Sequence, residues 1–559
     1  MAGKTPRPSF IIFNPDEMRA ESLGCYGETL AVTPNFDKFA KEGCMFQEAH
    51  TTHTVCSPSR VSFMTGWYPH INGHRTLTHL LQSGEPHLLK YLKDDGYDVL
   101  FFGKNDLLSE EATLENVTYL MATGKEFTSI PYEQSDPRYY SMLSDPDPGT
   151  PLETRDGKYI LKAIEHIQSN PERPFIIYLP LEKPHPPYNC CQPFHSMIDR
   201  SKITNLRPRT LKDKPDFHAL IRAGRHFTDL SEEDYDAMCR EVYGVYLGAI
   251  SQIDSLFGTL MTALDASPLK DSTSVFVFSD HGDYAGDYGL IEKWPSGMED
   301  VLTRVPLLCA VPSLVLLCAL YHMTSSAEGS LGLLLLCWPQ VRTPGGKPGQ
   351  VVPEMVQLFD TMATMLQLAD IEPVHIHFAE SLLPMLRGSP GNPMRPAFAE
   401  GGFASHEKKL QVPKWVIKKL RKNDSPYGPK KLQEAEHPLS VCRAIMMKTM
   451  EWKFVYRTDP QRPEGHNELY NVKEDPRELK NLYYEPGYEA LRAEQLVKVM
   501  NWLMVTCDVT PQKEDGRGFQ RYVRSRLKYP EAKPKKVKGK HNFIEDDSDR
   551  SDPEDQTAL

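Results

Sequence analysis

Short strand-like runs alternate with longer helical stretches from Phe10 to about Glu400, and this alternation constrains the fold more than any other feature. The runs are rich in β-branched and aromatic residues and read FIIF, YDVLFF, FIIYLPL and TSVFVF. Between them, as in Tyr235–Leu264, apolar residues recur every three or four positions, which is typical of a helix with one buried face. The pattern predicts an α/β fold with a large, mainly parallel mixed sheet flanked by helices.

The C-terminal part of the chain follows a different pattern. The segment AIMMKTMEWKFVYR, from Ala444 to Arg457, predicts a β-hairpin, and Tyr488–Val505 is amphipathic. We therefore expect a small C-terminal α+β subdomain, consisting of an antiparallel sheet plus a helix. The predicted organisation is an α/β domain over residues 1–405, this subdomain over residues 406–520, and a disordered tail with basic and acidic runs over residues 521–559.

Composition and charge exclude several classes of function. The net charge of −11, from 64 Lys and Arg against 75 Asp and Glu, leaves no basic footprint, so we expect no nucleic acid partner. The eleven cysteines include no CxxC pair and predict neither a disulfide framework nor a zinc site. The lysine-rich stretch Lys408–Lys431 contains three prolines and is most simply a solvated loop.

Two segments bear on location. The polar start MAGKTPR runs directly into the strand at Phe10, which leaves no room for a signal peptide. We expect a cytoplasmic protein as written, or a secretory or lysosomal one if the N-terminus is incomplete. The apolar run Val305–Met323 approaches the length of a membrane span, but Pro306 and Pro312 and the scarcity of flanking basic residues argue against membrane insertion. Nothing in these patterns indicates an oligomeric state.

The sharpest local motif is CSPSR, from Cys56 to Arg60, continued by VSFMTG. Ser57 is a good N-cap and Pro58 a good first helical residue, so the motif predicts a helix start. Cys56 would then lie at the positive end of that helix, where anionic species are favoured. The alternative is an ordinary buried cysteine before a helix.

Acidic residues follow two of the predicted strands. Asp16 comes after FIIF, and Asp280 and His281 come after the run that ends at Phe278. Because ligand sites in α/β sheets lie at the carboxyl ends of strands, these side chains are expected to meet. Carboxylates suit a hard divalent cation, and one imidazole widens the choice to manganese. Taken singly, each Asp is more simply a cap or a turn former.

These motifs together resemble those of the formylglycine-dependent sulfatases, members of the alkaline phosphatase superfamily. CSPSR followed by MTG is similar to their maturation motif, with Met64 where Leu is usual, and DEMRAESLGCYG and SDHGDYAGDYG are similar to their two metal motifs. The resemblance implies that a formylglycine-generating enzyme converts Cys56 to formylglycine (3-oxoalanine). It also implies one divalent cation, most often Ca²⁺ with Mn²⁺ or Mg²⁺ as alternatives, held by Asp16, Glu17, Cys56, Asp280 and His281.

Three loop residues also match the family one by one. They are Lys104 in FFGKND, His185 in LEKPHPPY and Lys293 in GLIEKW. With Arg60, the two lysines are expected to supply positive charge around the sulfuryl group, and His185 to steady or protonate the leaving alcohol. Many sulfatases have a histidine two residues after the first lysine; here that position is Asp106.

The activity that the resemblance implies is hydrolysis of small-molecule or carbohydrate sulfate esters through the formylglycine gem-diol and a covalent sulfo-enzyme intermediate. The alternatives are a phosphonate or phosphate ester hydrolase of the same superfamily, or a protein that binds sulfated ligands without catalysis because Cys56 is unconverted.

Residues 309–340 separate two pieces, Arg304–Leu308 and Arg342–Gly346, that family members join almost directly. We therefore suspect an insertion there.

Overall fold

The apolar run at Phe10 forms the central strand β1 (Ser9–Asp16), which pairs in parallel with a strand on each side. All eight residues of β1 are buried, as expected of a strand covered on both faces. The architecture is that of a computed structural model that describes residues 7–122, 130–133, 135–209, 214–312, 348–403, 407, 413–420, 426–458 and 466–507.

The main sheet is mixed but mainly parallel. Its strands after β1 are β2 (Cys44–His50), β3 (Asp98–Phe102), β4 (Tyr119–Met121), β5 (Phe175–Pro184), β6 (Thr273–Phe278), β7 (Leu307–Ala310) and β8 (Gln350–Gln357). In the described part of the chain, the order across the sheet is β4-β3-β5-β1-β6-β7-β2-β8. Strand β7 runs antiparallel to its neighbours β6 and β2, and the other pairings are parallel. The predicted fold class is confirmed.

Helices cover both faces of the sheet. They are α1 (Pro34–Glu42), α2 (Cys56–Thr65), α3 (Leu88–Asp94), α4 (Glu110–Asn116), α5 (Arg155–Gln168), α6 (Phe217–Gly224), α7 (Glu232–Asp265), α8 (Asp300–Thr303), α9 (Asp360–Leu368), α10 (Leu383–Leu386), α11 (Lys414–Leu420), α12 (Gly428–Glu436) and α13 (Glu489–Cys507).

Alternate side chains of β1 enter two different cores. Phe10 and Ile12 pack in a cluster with residues of α2, α3 and α9, whereas Ile11 and Phe13 pack in a second cluster with residues of α1, α5 and α7. This division follows from the two-residue repeat of a strand. It places α2 and α7 on opposite sides of the sheet.

Helix α7 is, in the described residues, the one helix long and apolar enough to span a membrane. Most of its apolar part is buried inside the protein, where it packs on β5 and α5. Its hydrophobicity is that of a helix at the centre of a core.

Strand β7 revises the start of the suspected insertion. Cys309 and Ala310 belong to this strand, are buried, and pair with β6 and β2, so these residues are part of the main sheet. The rest of the suspected insertion, from residue 313 onward, lies outside the described residues. That part of the hypothesis stays a prediction.

A second, antiparallel sheet forms in the C-terminal part of the chain. It contains β9 (Ala397–Gly401), β10 (Ala444–Lys448), β11 (Trp452–Arg457) and β12 (Glu468–Asn471) in the order β12-β11-β10-β9. The predicted hairpin is β10 and β11. Strand β9 precedes residue 406, so this sheet extends across the expected domain boundary, and the division itself stays a prediction. The predicted tail, residues 521–559, lies outside the described residues.

The lysine-rich stretch is not simply a loop. Part of it forms α11 and the start of α12, which is a correction to the prediction from its prolines. Pro429 lies in the first turn of α12, where the missing N–H costs no helical hydrogen bond. Helix α12 packs against α6 and α11.

A buried carboxylate in β9 is connected to the loop after α2 and, through that loop, to the last helix. The Glu400 side chain is fully buried; it contacts His70 Nδ1 at 2.6 Å and accepts a hydrogen bond from Arg443 at 2.6 Å. The Nε2 atom of the same histidine is 3.0 Å from Thr506 Oγ1 in α13. Although burial alone would raise the pKa of Glu400, the hydrogen bond from His70 and the charge of Arg443 hold this pKa at about 2.

We expect Glu400→Gln to destabilise the protein in a pH-dependent way. Because the pKa of Glu400 is lowered on folding, its charge stabilises the fold above the ordinary glutamate pKa of 4.5, and this contribution is lost as the pH falls toward 2. Urea unfolding should show a deficit of up to about 3 kcal/mol at pH 7 that shrinks below pH 4.5. The exposed Glu494 of α13, paired with Lys498 at 2.7 Å, gives the control Glu494→Gln with no measurable change. A deficit that is constant with pH would contradict the prediction.

Candidate active site

Two parallel strands bring distant acidic residues together. Asp16 ends β1, Asp280 follows β6, and β1 and β6 are neighbours in the sheet. The Arg60 guanidinium donates to both carboxylates, with Nη2 at 3.0 Å from Asp16 Oδ2 and Nε at 2.9 Å from Asp280 Oδ2. All three side chains are fully buried. These groups therefore meet at the carboxyl ends of the strands, as predicted from the sequence.

Helix α2 places Cys56 and Arg60 at these carboxyl ends of the strands. The helix begins at Cys56 rather than after Ser57, which corrects the predicted cap: Val55 is the N-cap, and the Ser57 hydroxyl donates to the Leu77 carbonyl. Cys56 is the first helical residue, so it still lies at the N-terminal end of the helix, as the motif predicted. The Ser59 hydroxyl donates to the Asp280 carbonyl at 2.6 Å and so ties the helix to the end of β6.

The Cys56 thiol lies among the acidic residues and His281. Its sulfur is 3.5 Å from Asp16 Oδ1 and 3.2 Å from His281 Nε2. Burial, and then the charge of Asp16, raise the pKa of Cys56 to about 12. The thiol itself is therefore protonated in this environment.

Four of these residues form a cluster that fits a divalent cation. Asp16, Cys56, Asp280 and His281 each place a ligand atom within 4.8 Å of the others. The Nδ1 atom of His281 is 2.9 Å from the Gly282 carbonyl, which holds the proton on Nδ1 and turns the Nε2 lone pair toward the cluster. Two carboxylates and one imidazole are a donor set for calcium, magnesium or manganese.

Glu17 lies beside this cluster but is oriented differently. Its Oε2 is 2.7 Å from Lys293 Nζ and 3.5 Å from His185 Nε2, and it forms a second possible ligand set with Asp16 and His185. Its Oε1 is buried without a hydrogen-bond partner among the described residues. That free oxygen suits a cation. The binding of Glu17 to the same ion as the first cluster stays a prediction.

Lysines and Arg60 surround the carboxylates. Lys104 Nζ is 2.5 Å from Asp16 Oδ2 and 3.7 Å from the Cys56 sulfur. Although burial alone would raise the pKa of Asp16, the charges of Lys104 and Arg60 hold this pKa well below its usual value. The site is thus a buried arrangement in which acidic and basic groups alternate.

Asp106, at the position where many sulfatases have a histidine, pairs with Lys104 at 2.9 Å. The side chain therefore orients the lysine. The ring of His74 is 3.1 Å from Glu85 and 2.8 Å from the carbonyl of His79, so both of its nitrogens have partners within its own loop and it does not replace that histidine.

His185 follows β5, at the same end of the strands. Its Nδ1 is 2.6 Å from the Pro186 carbonyl, which leaves Nε2 facing Glu17. Burial and the charges of Lys293 and Lys104 lower the pKa of His185 well below its ordinary value. The ring is therefore neutral in this environment and offers a lone pair at Nε2. A role as proton donor stays a prediction.

Sequence reasoning missed the groups on the far side of Lys293. Glu292, Arg225 and Lys430 form a buried charge cluster there, and the Tyr427 hydroxyl is 3.4 Å from the Pro186 carbonyl. Among the sequence features, only the lysine-rich stretch pointed toward this cluster. Its members come from three distant segments, so no local pattern could reveal that they meet. The whole arrangement combines a possible cation site, a thiol at a helix start and several fixed cations, which suits a tetrahedral anion.

Comparisons with known proteins identify relatives of this chain in sequence and in fold. The family model described as Sulfatase matches residues 8–371. Iduronate 2-sulfatase of Homo sapiens is 26% identical over 395 residues, covering 63% of this chain and 68% of that protein. The multifunctional alkaline phosphatase superfamily protein PehA of Trinickia caryophylli is 23% identical over 551 residues, covering 89% of this chain and 94% of that protein.

Among solved structures, the phosphonate monoester hydrolase of Agrobacterium radiobacter superposes with a TM-score of 0.64 at 18% identity. The superposition covers 89% of this chain and 96% of that chain, and it shows that the two share a fold. Since the family model matches well over half of the residues, the chain belongs to the sulfatase family, within the alkaline phosphatase superfamily.

Proposed function

We propose that the protein hydrolyses sulfate esters with a formylglycine formed from Cys56 and one divalent cation. The observation that carries the proposal is the position of Cys56 at the start of α2, with its sulfur 3.2 Å from His281 and 3.5 Å from Asp16. The nearby charges of Arg60 and Lys104 suit a sulfuryl group. The small-molecule or carbohydrate character of the ester follows the family resemblance.

The proposed nucleophile is one hydroxyl of the hydrated aldehyde at position 56. Its oxygen forms a bond to sulfur while the bond from sulfur to the ester oxygen breaks, and the leaving alcohol takes up a proton. The enzyme then carries the sulfo group covalently. Loss of the proton from the second hydroxyl expels sulfate and restores the aldehyde, which takes up one water before the next turnover.

Asp16, Asp280 and His281 would hold the cation, with Glu17 as a further ligand, and Ca²⁺ is the ion that the family most often uses. When bound, it would lower the pKa of the nucleophilic hydroxyl and offset charge on the sulfate oxygens. Arg60 holds Asp16 and Asp280 in place through its two hydrogen bonds. In this proposal, Lys104 and Lys293 supply fixed charge, and His185 orients the leaving alcohol.

A second candidate is a phosphonate ester hydrolase. The same nucleophile and cations serve either tetrahedral anion, and PehA, which is described as multifunctional, aligns with 89% of this chain. A third candidate is a binder of sulfated ligands in which Cys56 is never converted. The sulfatase proposal is preferred because the matched family model and the name of the human relative both concern sulfate esters.

Substrate comparison should separate the two enzymatic candidates. We expect kcat/KM for an aryl sulfate ester to exceed that for a phenyl phosphonate ester of the same phenol by at least about tenfold. Both esters carry one negative charge, but the phosphonate has a carbon substituent where the sulfate has a third terminal oxygen, so a site that hydrogen-bonds three oxygens would leave one polar group unpaired. Steady-state release of the common phenol measures both reactions under one condition. The reverse preference would favour the phosphonate hydrolase.

Replacement of Cys56 should remove turnover and leave the fold. We expect Cys56→Ala to lower sulfate release by about a thousandfold or more, because the nucleophile is lost. Cys56→Ser should stop after one turnover with a sulfo group retained on the new serine, because a single hydroxyl cannot expel sulfate. Sulfate release and peptide mass spectrometry measure these outcomes.

The matched control is Cys507→Ala, at an exposed cysteine near the end of α13, which should keep full activity and the same melting temperature. In the wild-type protein, the peptide that contains Cys56 should be lighter by the exchange of one sulfur and two hydrogens for one oxygen. An unconverted thiol in active protein would overturn the proposed nucleophile, and an unconverted thiol in inactive protein would favour the binder.

Metal content should depend on Asp280. We expect Asp280→Ala to lose most of its bound divalent cation, measured by elemental analysis of purified protein, because one of two carboxylates in the cluster is removed. Asp271→Ala is the matched control, since Asp271 is exposed and lies just before the opposite end of β6. A variant that keeps a full complement of metal would remove Asp280 from the site.

A further inference from the structure

Lys293 lies in a segment without regular hydrogen bonding. Residues 290–299, between β6 and α8, form neither helix nor strand, so no ladder fixes the direction of this side chain. Its ammonium group nevertheless lies 2.7 Å from Glu17 Oε2, and the residue is only 5% exposed. Other contacts must therefore hold it toward the reaction centre.

The residue before it has an unusual backbone conformation. Glu292 has φ of +62°, in the left-handed region that is strained for a residue other than glycine. Two hydrogen bonds hold this conformation: its N–H donates to the Tyr188 hydroxyl at 2.8 Å, and its carbonyl accepts from the Tyr284 N–H at 3.1 Å. Such strain persists only where the surroundings determine the backbone.

The Glu292 carboxylate competes with Glu17 for Lys293. Its Oε1 is 3.8 Å from Lys293 Nζ, so a small rotation of the lysine would exchange one carboxylate for the other. Both carboxylates are buried, where an ion pair is strong. The charge of Glu292 must be satisfied elsewhere if Lys293 is to remain on Glu17.

Lys430 satisfies that charge from a distant part of the chain. Its ammonium lies 2.8 Å from Glu292 Oε1, the oxygen nearest to Lys293, and donates to the Lys293 carbonyl at 2.9 Å. Arg225, at the end of α6, takes the other oxygen at 2.9 Å. One side chain from α12 therefore holds both the backbone of Lys293 and its competing carboxylate.

We propose that Lys430 is a positioning residue that keeps Lys293 directed at Glu17 and the reaction centre by neutralising Glu292. The proposal rests on the proposed function, because it concerns a lysine assigned there to the sulfuryl group. Lys430 lies outside residues 8–371, the part of the chain that the family model matches. It touches neither Asp16 nor Cys56 in any described contact and acts through Lys293.

The first test is kinetic. Lys430→Met should lower kcat and kcat/KM together by about 10- to 100-fold, because Lys293 moves away from the position where charge develops. Lys430→Arg, which keeps the charge, should retain most of the activity. Lys431→Met is the matched control at the exposed neighbouring residue and should behave as wild type. A rise in KM with unchanged kcat would instead make Lys430 a substrate contact and overturn the proposal.

A double variant separates positioning from loss of structure. Glu292→Gln combined with Lys430→Met should regain a substantial part of the lost activity, because the neutral amide no longer draws Lys293 from Glu17. A general structural role for Lys430 predicts no recovery, and an equal or lower rate in the double variant would overturn the proposal. Melting temperatures of all variants show whether each is folded.

A third test does not depend on turnover. In a crystal structure of Lys430→Met, we expect the Lys293 ammonium to lie closer to Glu292 than to Glu17. An unchanged contact with Glu17 would overturn the positioning role, whatever the activity. If the wild-type protein hydrolyses neither sulfate nor phosphonate esters, the proposed function fails while this structure still decides the role of Lys430.

Discussion

The Arg60 guanidinium, shared between Asp16 and Asp280, is the interaction on which the site depends. The two carboxylates come from the ends of neighbouring strands and are fully buried, so each needs a positive partner. One planar group supplies both through different nitrogens, a geometry that lysine could not reproduce. Because Arg60 and Cys56 are one helical turn apart in α2, the same ion pairs that attach the helix to the sheet also fix the thiol.

Opposite charges alternate outward from this centre. Asp16 and Glu17 contact Lys104 and Lys293, and Glu292 lies beyond them between Lys293, Lys430 and Arg225. In a buried environment such groups are held by one another, and loss of one member leaves its neighbour unpaired. A reacting anion would therefore meet charges that are already oriented, which is how electrostatic stabilisation avoids the cost of reorganisation.

The sequence predicted the parts of the molecule that depend on local pattern. Strand runs and the parallel-sheet rule indicated that Asp16 and Asp280 would meet, and CSPSR indicated a helix start near Cys56. It could not predict that Glu17 would face Lys293, because that follows from a left-handed backbone at φ +70°. It also missed the contact between Glu292 and Lys430, since residues 138 positions apart meet only through tertiary packing. The prolines of the lysine-rich stretch predicted a loop where α12 forms. A proline in the first turn of a helix and a proline in a loop give the same sequence signal.

The burial of α2 has a consequence for the order of events during biosynthesis. Every residue from Cys56 to Thr65 is buried, and the Cys56 side chain has Asp16, Lys104 and His281 around it. An enzyme that oxidises this thiol would need the surrounding peptide in an extended, accessible form. Maturation would thus have to precede the closing of the helix onto the sheet, and chains that fold first would be trapped with an inert thiol.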